Sequence, residues 1–169
     1  MKNYLITGIA GTGKTTVANA LKEKGYRVLE TDDDFRISIE DMKRRDSDFI
    51  VPKRWANDGK GRHFIDSEKI LPVLTKQGQG IQFLCGHGRN WIDYSKYFEK
   101  VFLLTVDEAE LDARLKRRDV GSWGHESHER EDSLSMMSDF NNNIRQMNVI
   151  EINTDQPVKS VVEQIINNL

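Results

Sequence analysis

Only one cysteine, Cys85, occurs among the 169 residues, so no disulfide can close within the chain. That fits a reducing compartment, and a cytoplasmic setting is expected. No apolar run approaches the length needed to span a bilayer, so no membrane association is expected. The first residues pass directly into a strand-like run, so no signal peptide is expected either. An excess of one charge is also lacking. Lys and Arg number 25 against 27 Asp and Glu, a formal net charge of -2, which argues against nucleic-acid binding by bulk charge. Internal repeats, low-complexity tracts and linker-like composition are absent. The length allows one domain with a proper core and is too short for two ordinary ones. Monomer and homodimer both stay open.

What the chain does have is a regular alternation. Tyr4-Leu5-Ile6 is a short apolar run ending at Gly8 and predicts a buried first strand. A helix is expected from Lys14 to Lys24, with Val17, Ala18 and Leu21 on one face and Gly25 as its stop. Arg27 to Thr31 predicts a second strand, closed by three consecutive aspartates. Arg36 to Ile65 is polar and weakly patterned, with a short helix to about Arg45 and then loop. Asp66 or Ser67 is placed to cap a helix bearing Ile70, Leu71 and Leu74. Ile81 to Cys85 and Val101 to Val106 predict two more strands, and a helix from Asp107 carries Leu111 and Leu115. A polar loop over Asp119 to Asp132, a helix over Ser133 to Met147 and a last strand over Val149 to Ile152 follow. Pro157 opens a final helix with Val158, Val161, Val162, Ile165 and Ile166 near helical spacing. Strands alternating with helices from end to end imply a parallel sheet covered on both faces.

The residues with the most specific chemistry lie at the first strand–helix junction. Gly8-Ile-Ala-Gly11-Thr12-Gly13-Lys14-Thr15 fits G-x-x-x-x-G-K-[ST], the phosphate-binding loop, and Thr16 follows it. Glycines let the backbone curl so that successive N–H groups point at phosphate oxygens. The helix that begins near Lys14 adds its positive N-terminal end. The Lys14 ammonium is expected on the β- and γ-phosphates and the Thr15 hydroxyl on magnesium. Gly8 to Thr16 are therefore expected to bind a nucleoside triphosphate, ATP with Mg2+.

With these residues the chain resembles the adenylate-kinase-like group of small P-loop kinases, which includes nucleoside monophosphate kinases, shikimate kinase and gluconate kinase. The resemblance covers nearly the whole chain in element order. It implies a three-layer α/β/α P-loop fold, a five-stranded parallel sheet of strand order 2-3-1-4-5, and a small lid. Asn153-Thr-Asp155 is not the N-K-x-D base-recognition motif of GTPases. The larger ATPase machines need more chain.

Further landmarks follow from the same resemblance. Carboxylates at the end of the second strand face the ligand crevice of such a sheet. Asp32 and Asp34 match the Asp-x-Asp of shikimate kinases, whereas Asp33 and Arg36 match the Asp and Arg with which adenylate kinases grip an acceptor phosphate; the sequence does not choose. One carboxylate is expected to take the acceptor's proton or hold a magnesium water, with Asp32 as the metal candidate. Cys85-Gly86-His87-Gly88-Arg89 stands where adenylate-type kinases carry Asp-Gly-Phe-Pro-Arg, so Cys85 replaces an acid and Asp32 or Asp34 must supply that function. Arg89 is a planar donor suited to phosphate or carboxylate. Arg114 and Arg118 share a helix face, and the family places the first on adenine and the second near the phosphates. Residues 119–132 then form the lid and 36–65 the acceptor-binding segment. His125-x-x-His128 lacks further metal ligands in its pattern and is expected to be solvent-exposed. Trp55, Trp91 and Trp123 fall near the acceptor site or lid, where base stacking and ordinary packing both stay open.

The function implied is ATP-dependent phosphoryl transfer to a small molecule, with Lys14, Asp32, Asp34 and Arg118 as catalytic groups. A nucleoside or nucleoside monophosphate is the first expected acceptor, because Arg36 and Arg89 would converge on its phosphate. A shikimate- or gluconate-type hydroxy acid is the second. A regulatory nucleotide-binding protein with little turnover is an alternative of another class.

Overall fold

The structure, a computed structural model, describes residues 1–32, 35–51 and 64–169. Asp33, Asp34 and Trp55 therefore lie outside the described residues. The central sheet is built from β1 (Lys2–Thr7), β2 (Arg27–Glu30), β5 (Ile81–Cys85), β6 (Lys100–Thr105) and β7 (Val149–Asn153). All pairings among them are parallel, in the order β2-β5-β1-β6-β7. Counting these strands along the chain gives the expected order 2-3-1-4-5. The helices are α1 (Lys14–Glu23), α2 (Ile39–Arg45), α3 (Ser67–Leu74), α4 (Glu108–Lys116), α5 (Ser127–Ile144) and α6 (Val158–Ile166).

Alternation along the strands builds one core on each face of the sheet. Tyr4, Ile6, Phe83, Phe102 and Ile152 pack with Val17, Ala18 and Leu21 of α1 and Val161, Val162 and Ile165 of α6. Leu5, Leu84, Val101 and Leu103 face the other way, against Ile70 and Leu74 of α3, Leu111 and Leu115 of α4, and Phe140 and Ile144 of α5. Both faces are covered, as a parallel sheet requires. No described helix is long and apolar enough to cross a membrane.

Three local features add to the sequence expectations or depart from them. The short helix expected to end near Arg45 is present as α2, and a two-residue strand precedes it. Arg36–Ile37 (β3) pairs antiparallel with Phe64–Ile65 (β4), and α2 begins only at Ile39, after Ser38 whose hydroxyl caps it by accepting from Asp41 N at 3.0 Å. Strands this short leave no periodicity to read. A 3-10 helix over Trp91–Tyr97, unforeseen, buries Trp91 fully and so gives that tryptophan a packing role. The segment 119–132 is not loop throughout, because α5 starts at Ser127 rather than Ser133. Its first turns, Ser-His-Glu-Arg-Glu-Asp, carry no apolar residue and therefore show no helical stripe.

Candidate active site

The phosphate loop leaves the carboxyl end of the central strand β1, with β5 on one side and β6 on the other, where ligand crevices of open α/β sheets form. Gly13 precedes α1 at φ 86, a left-handed conformation that suits glycine. The helix start has no side-chain cap and no acidic residue in its first turn, unlike α2 and α3, which have both. Among the described residues its N-terminal donors and dipole thus have neither a capping side chain nor a first-turn carboxylate to answer them. Lys14 is buried, and its ammonium donates to the Gly8 and Ile9 carbonyls, each at 2.9 Å. Burial holds its pKa below the ordinary lysine value; Asp32 works against that shift and the Arg36 and Arg118 cations add to it.

Asp32 stands just past β2. Its carboxylate accepts from the His87 backbone N–H at 2.8 Å and from the Arg36 guanidinium, an ion pair spanning four residues. Burial by itself would raise the Asp32 pKa, but Lys14, Arg36 and the His87 N–H outweigh it and the net shift is downward. Asp32 is therefore an ionised acceptor facing the Lys14 ammonium. Cys85, in the position where an acid was expected, is buried with its sulfur 3.5 Å from the Lys14 carbonyl. Burial pushes its thiol up to about 12, so it offers neither a nucleophile nor an anion for a metal.

These groups line one cleft of about 510 Å³, shared by Gly11, Gly13, Lys14, Thr15, Thr16, Asp32, Arg36, His87, Arg114, Arg118, Trp123, Ser133 and Met136. Arg114 is fixed from behind. Its Nε donates to Glu110 Oε1 at 2.8 Å, while its two terminal nitrogens donate to Thr154 Oγ1 at 3.0 Å and Thr154 O at 2.9 Å. Arg118 donates to the Trp123 carbonyl at 2.6 Å, and the Trp123 indole N–H donates to Ser133 Oγ at 3.1 Å. Arg130, within the segment expected to form the lid, is engaged on the His125 carbonyl and toward Asp112. His125 Nδ1 lies 2.8 Å from the Arg118 carbonyl, which gives this histidine a structural contact.

Among the residues picked from sequence, Gly8 and Thr12 shape the loop without lining the cleft. Arg36 lines it, but Arg89 does not. The Arg89 guanidinium is half-buried against Met136 Sδ of α5, and its carbonyl accepts from Asn143 Nδ2 at 2.9 Å. Arg89 is thus not among the described residues that line the cleft with Arg36, and its guanidinium lies against α5 instead. Asp33 and Asp34 fall outside the described residues. His87, Ser133 and Met136 were not foreseen; His87 stacks on Phe140 at 4.5 Å between ring centroids and 23° between planes. The Gly86-His87-Gly88 turn that follows β5 was the one sequence signal that pointed to His87. No cluster of three metal-ligating side chains occurs among the described residues. Magnesium in a triphosphate site needs none, because phosphates and waters supply most ligands and one or two protein oxygens suffice. The Thr15 hydroxyl and the ionised Asp32 carboxylate, both on the cleft, fit that donor set.

Residues 5–135 match the family model described as AAA domain, a span that holds the phosphate loop and every cleft-lining residue except Met136. The chain belongs to this AAA domain family. No curated protein matches it in sequence. Its fold is that of small P-loop kinases. It is similar to shikimate kinase from Bacteroides thetaiotaomicron at 16% identity and TM-score 0.62, covering 99% of each chain. A gluconokinase from Sinorhizobium meliloti 1021 matches at 16% identity and TM-score 0.60, over 98% of this chain and 90% of that one. A deoxyadenosine kinase from M. mycoides, with bound dATP, matches at 15% identity and TM-score 0.56 over 98% of each chain.

Proposed function

We propose that this AAA-domain chain is a phosphotransferase that moves the terminal phosphoryl group of ATP to a hydroxyl of a small molecule. The observation that carries the reading is the placement of an ionised carboxylate, Asp32, opposite the phosphate-loop Lys14, with Arg36, Arg114 and Arg118 brought to the same cleft from separate positions in the chain. Phosphoryl transfer needs positioning and cations around a dispersed negative charge, together with one base for the acceptor.

The residues divide the work. A bound ATP and magnesium would supply the transferable group and its charge neutralisation, held by the loop from Gly8 to Thr16 with Thr15 and Asp32 on the metal side. Lys14 exchanges its two carbonyl partners for phosphate oxygens, which relieves the burial of an ammonium among cations. Arg114, fixed by Glu110 and Thr154, offers a flat guanidinium face for a base. Arg118, held by the Trp123 carbonyl, lies where a lid over residues 119–132 can bring it to the phosphates. Asp32 takes up the acceptor proton at its carboxylate oxygen, and Arg36 orients that carboxylate.

Arg36, on the cleft beside Asp32, supports an acceptor that brings an anionic or polar oxygen to that side. A nucleoside, a nucleoside monophosphate or a hydroxy acid can each offer such an oxygen to a guanidinium. The test is a panel of nucleosides, nucleotides, sugar acids and hydroxy acids assayed for acceptor-dependent ADP release. Release with a nucleoside, a nucleoside monophosphate or a hydroxy acid is expected. ATP binding with no release for any member favours the regulatory class instead.

A further inference from the structure

The loop of residues 86–90, between β5 and the 3-10 helix, touches Asp32 and the strand that pairs with Arg36. At its near end Gly86 passes so close to β2 that a Cβ there would meet Thr31 Oγ1 and lie 2.9 Å from Asp32 Oδ1, and the next N–H, that of His87, binds Asp32. At its far end Gly88 passes equally close to β4: a Cβ would lie 2.5 Å from Ile65 Cγ1 and 3.0 Å from Trp91 Nε1. Glycine is required in both places for space. Asn90 follows, buried at 5% exposure, and places both its amide oxygen and its amide nitrogen on Ile65, with the Tyr94 hydroxyl as a further partner. Ile65 N–H donates to Asn90 Oδ1 at 2.7 Å, and Asn90 Nδ2 donates to Ile65 O at 3.0 Å. The Tyr94 hydroxyl donates to the same carbonyl at 3.2 Å.

Ile65 is the β4 residue paired with Arg36 of β3. The amide of Asn90 thus offers β4 one donor and one acceptor, as a third strand would. Two-residue strands cannot hold a register by their own pairing. The adjoining bond from Asp66 N–H to Phe35 O, 2.7 Å, ties the same two segments together. One loop therefore sets Asp32 directly, through the His87 N–H, and Arg36 indirectly, through Asn90 and Ile65.

We infer that Asn90 is a positioning residue for the acceptor subsite, fixing β4 and through it the Arg36 guanidinium against Asp32; the kinetic part of this inference rests on the phosphotransferase reading above. Removing the amide orphans the buried Ile65 N–H and leaves Ile65 O with the Tyr94 hydroxyl alone, which lets β4 and β3 shift while the phosphate loop, carried by β1, stays in place.

The test compares wild type, Asn90→Ala, Arg36→Ala and the double variant as full-length chains, with circular dichroism to confirm folding. With an acceptor in turnover, Asn90→Ala is expected to raise the acceptor KM about tenfold and leave the ATP KM within about twofold. In the Arg36→Ala background the same substitution should change the acceptor KM little, because residues acting through one another are not additive. Equal rises in both KM values, or full additivity with Arg36→Ala, overturn the inference. The second readout needs no activity. The guanidinium proton resonance of Arg36, assigned by its loss in Arg36→Ala, should broaden or shift in Asn90→Ala; an unchanged resonance overturns the positioning role even where no acceptor is turned over. If wild type releases no ADP with any acceptor while that resonance moves, the phosphotransferase reading falls and the coupling stands. Where Asn90→Ala does not fold, Asn90→Asp carries the same comparison, since it keeps the acceptor for Ile65 N–H and loses the donor to Ile65 O.

Discussion

Asp32→Asn isolates the electrostatics of the cleft, because it removes one charge and almost no volume. The carboxylate accepts from His87 N–H at 2.8 Å and from Arg36, and it faces the Lys14 ammonium. Asparagine can still accept from His87 through its amide oxygen. Each charge-assisted bond made neutral costs about 1 kcal/mol. The Asp32 side chain is 42% exposed, so solvent screening holds the total to about 1 kcal/mol rather than twice that. For a chain of this size that is a loss of about 2–4 °C in Tm. A carboxyl group with a depressed folded-state pKa contributes stability above its unfolded value and loses it as pH falls through the folded one. The Tm gap is therefore expected at neutral pH and should close on acidification below the ordinary 3.8. ATP affinity should move the opposite way. Removing the anion beside Lys14, Arg36 and Arg118 is expected to tighten binding of ATP without magnesium by roughly three- to tenfold. Turnover should fall at least about a hundredfold, the usual scale for loss of a general base. Thermal unfolding across pH, calorimetric ATP titration and ADP release measure the three effects. A variant that keeps wild-type turnover, or that loses stability and ATP affinity together at neutral pH, refutes the assignment.

Lys14→Ala should fold with a Tm at or above wild type, since it removes a buried ammonium, yet lose about tenfold or more in ATP affinity and nearly all transfer; circular dichroism and a fluorescent nucleotide titration check both. Arg114→Ala severs the link to Thr154 and is expected to weaken ATP binding about tenfold while sparing the acceptor KM; a rise confined to the acceptor KM would contradict its place at the base. Cys85, buried with its thiol near 12, should resist alkylation in the native protein at mildly alkaline pH and react fully only in denaturant, as a timed thiol assay reads. Arg36→Ala should raise the acceptor KM about tenfold with little change for ATP, and steady-state kinetics with each substrate varied in turn decides it.

The phosphate loop was legible in the sequence because its chemistry is local: a strand, a glycine turn and a helix start lie within one short stretch, and backbone geometry follows from residue type. The sheet was legible for a similar reason, since Tyr4 to Ile6, Ile81 to Cys85 and Val101 to Val106 are short, largely apolar runs set between helical stretches, as strands buried on both faces must be. The position of Asp32 at a strand end followed from the same pattern. Arg89 did not follow, because its direction depends on Met136 of α5, far away in sequence, and α5 itself opens with polar turns that carry no stripe. The pairing of Arg36 with Ile65 and the hold of Asn90 on that strand were equally hidden. They join segments that are distant along the chain, through side-chain amide and main-chain groups that any sequence possesses. The sequence by itself determined where the glycine-rich loop and its lysine stand; only tertiary packing decided which arginines line the cleft beside them, because contacts between distant segments leave no periodic trace in either one.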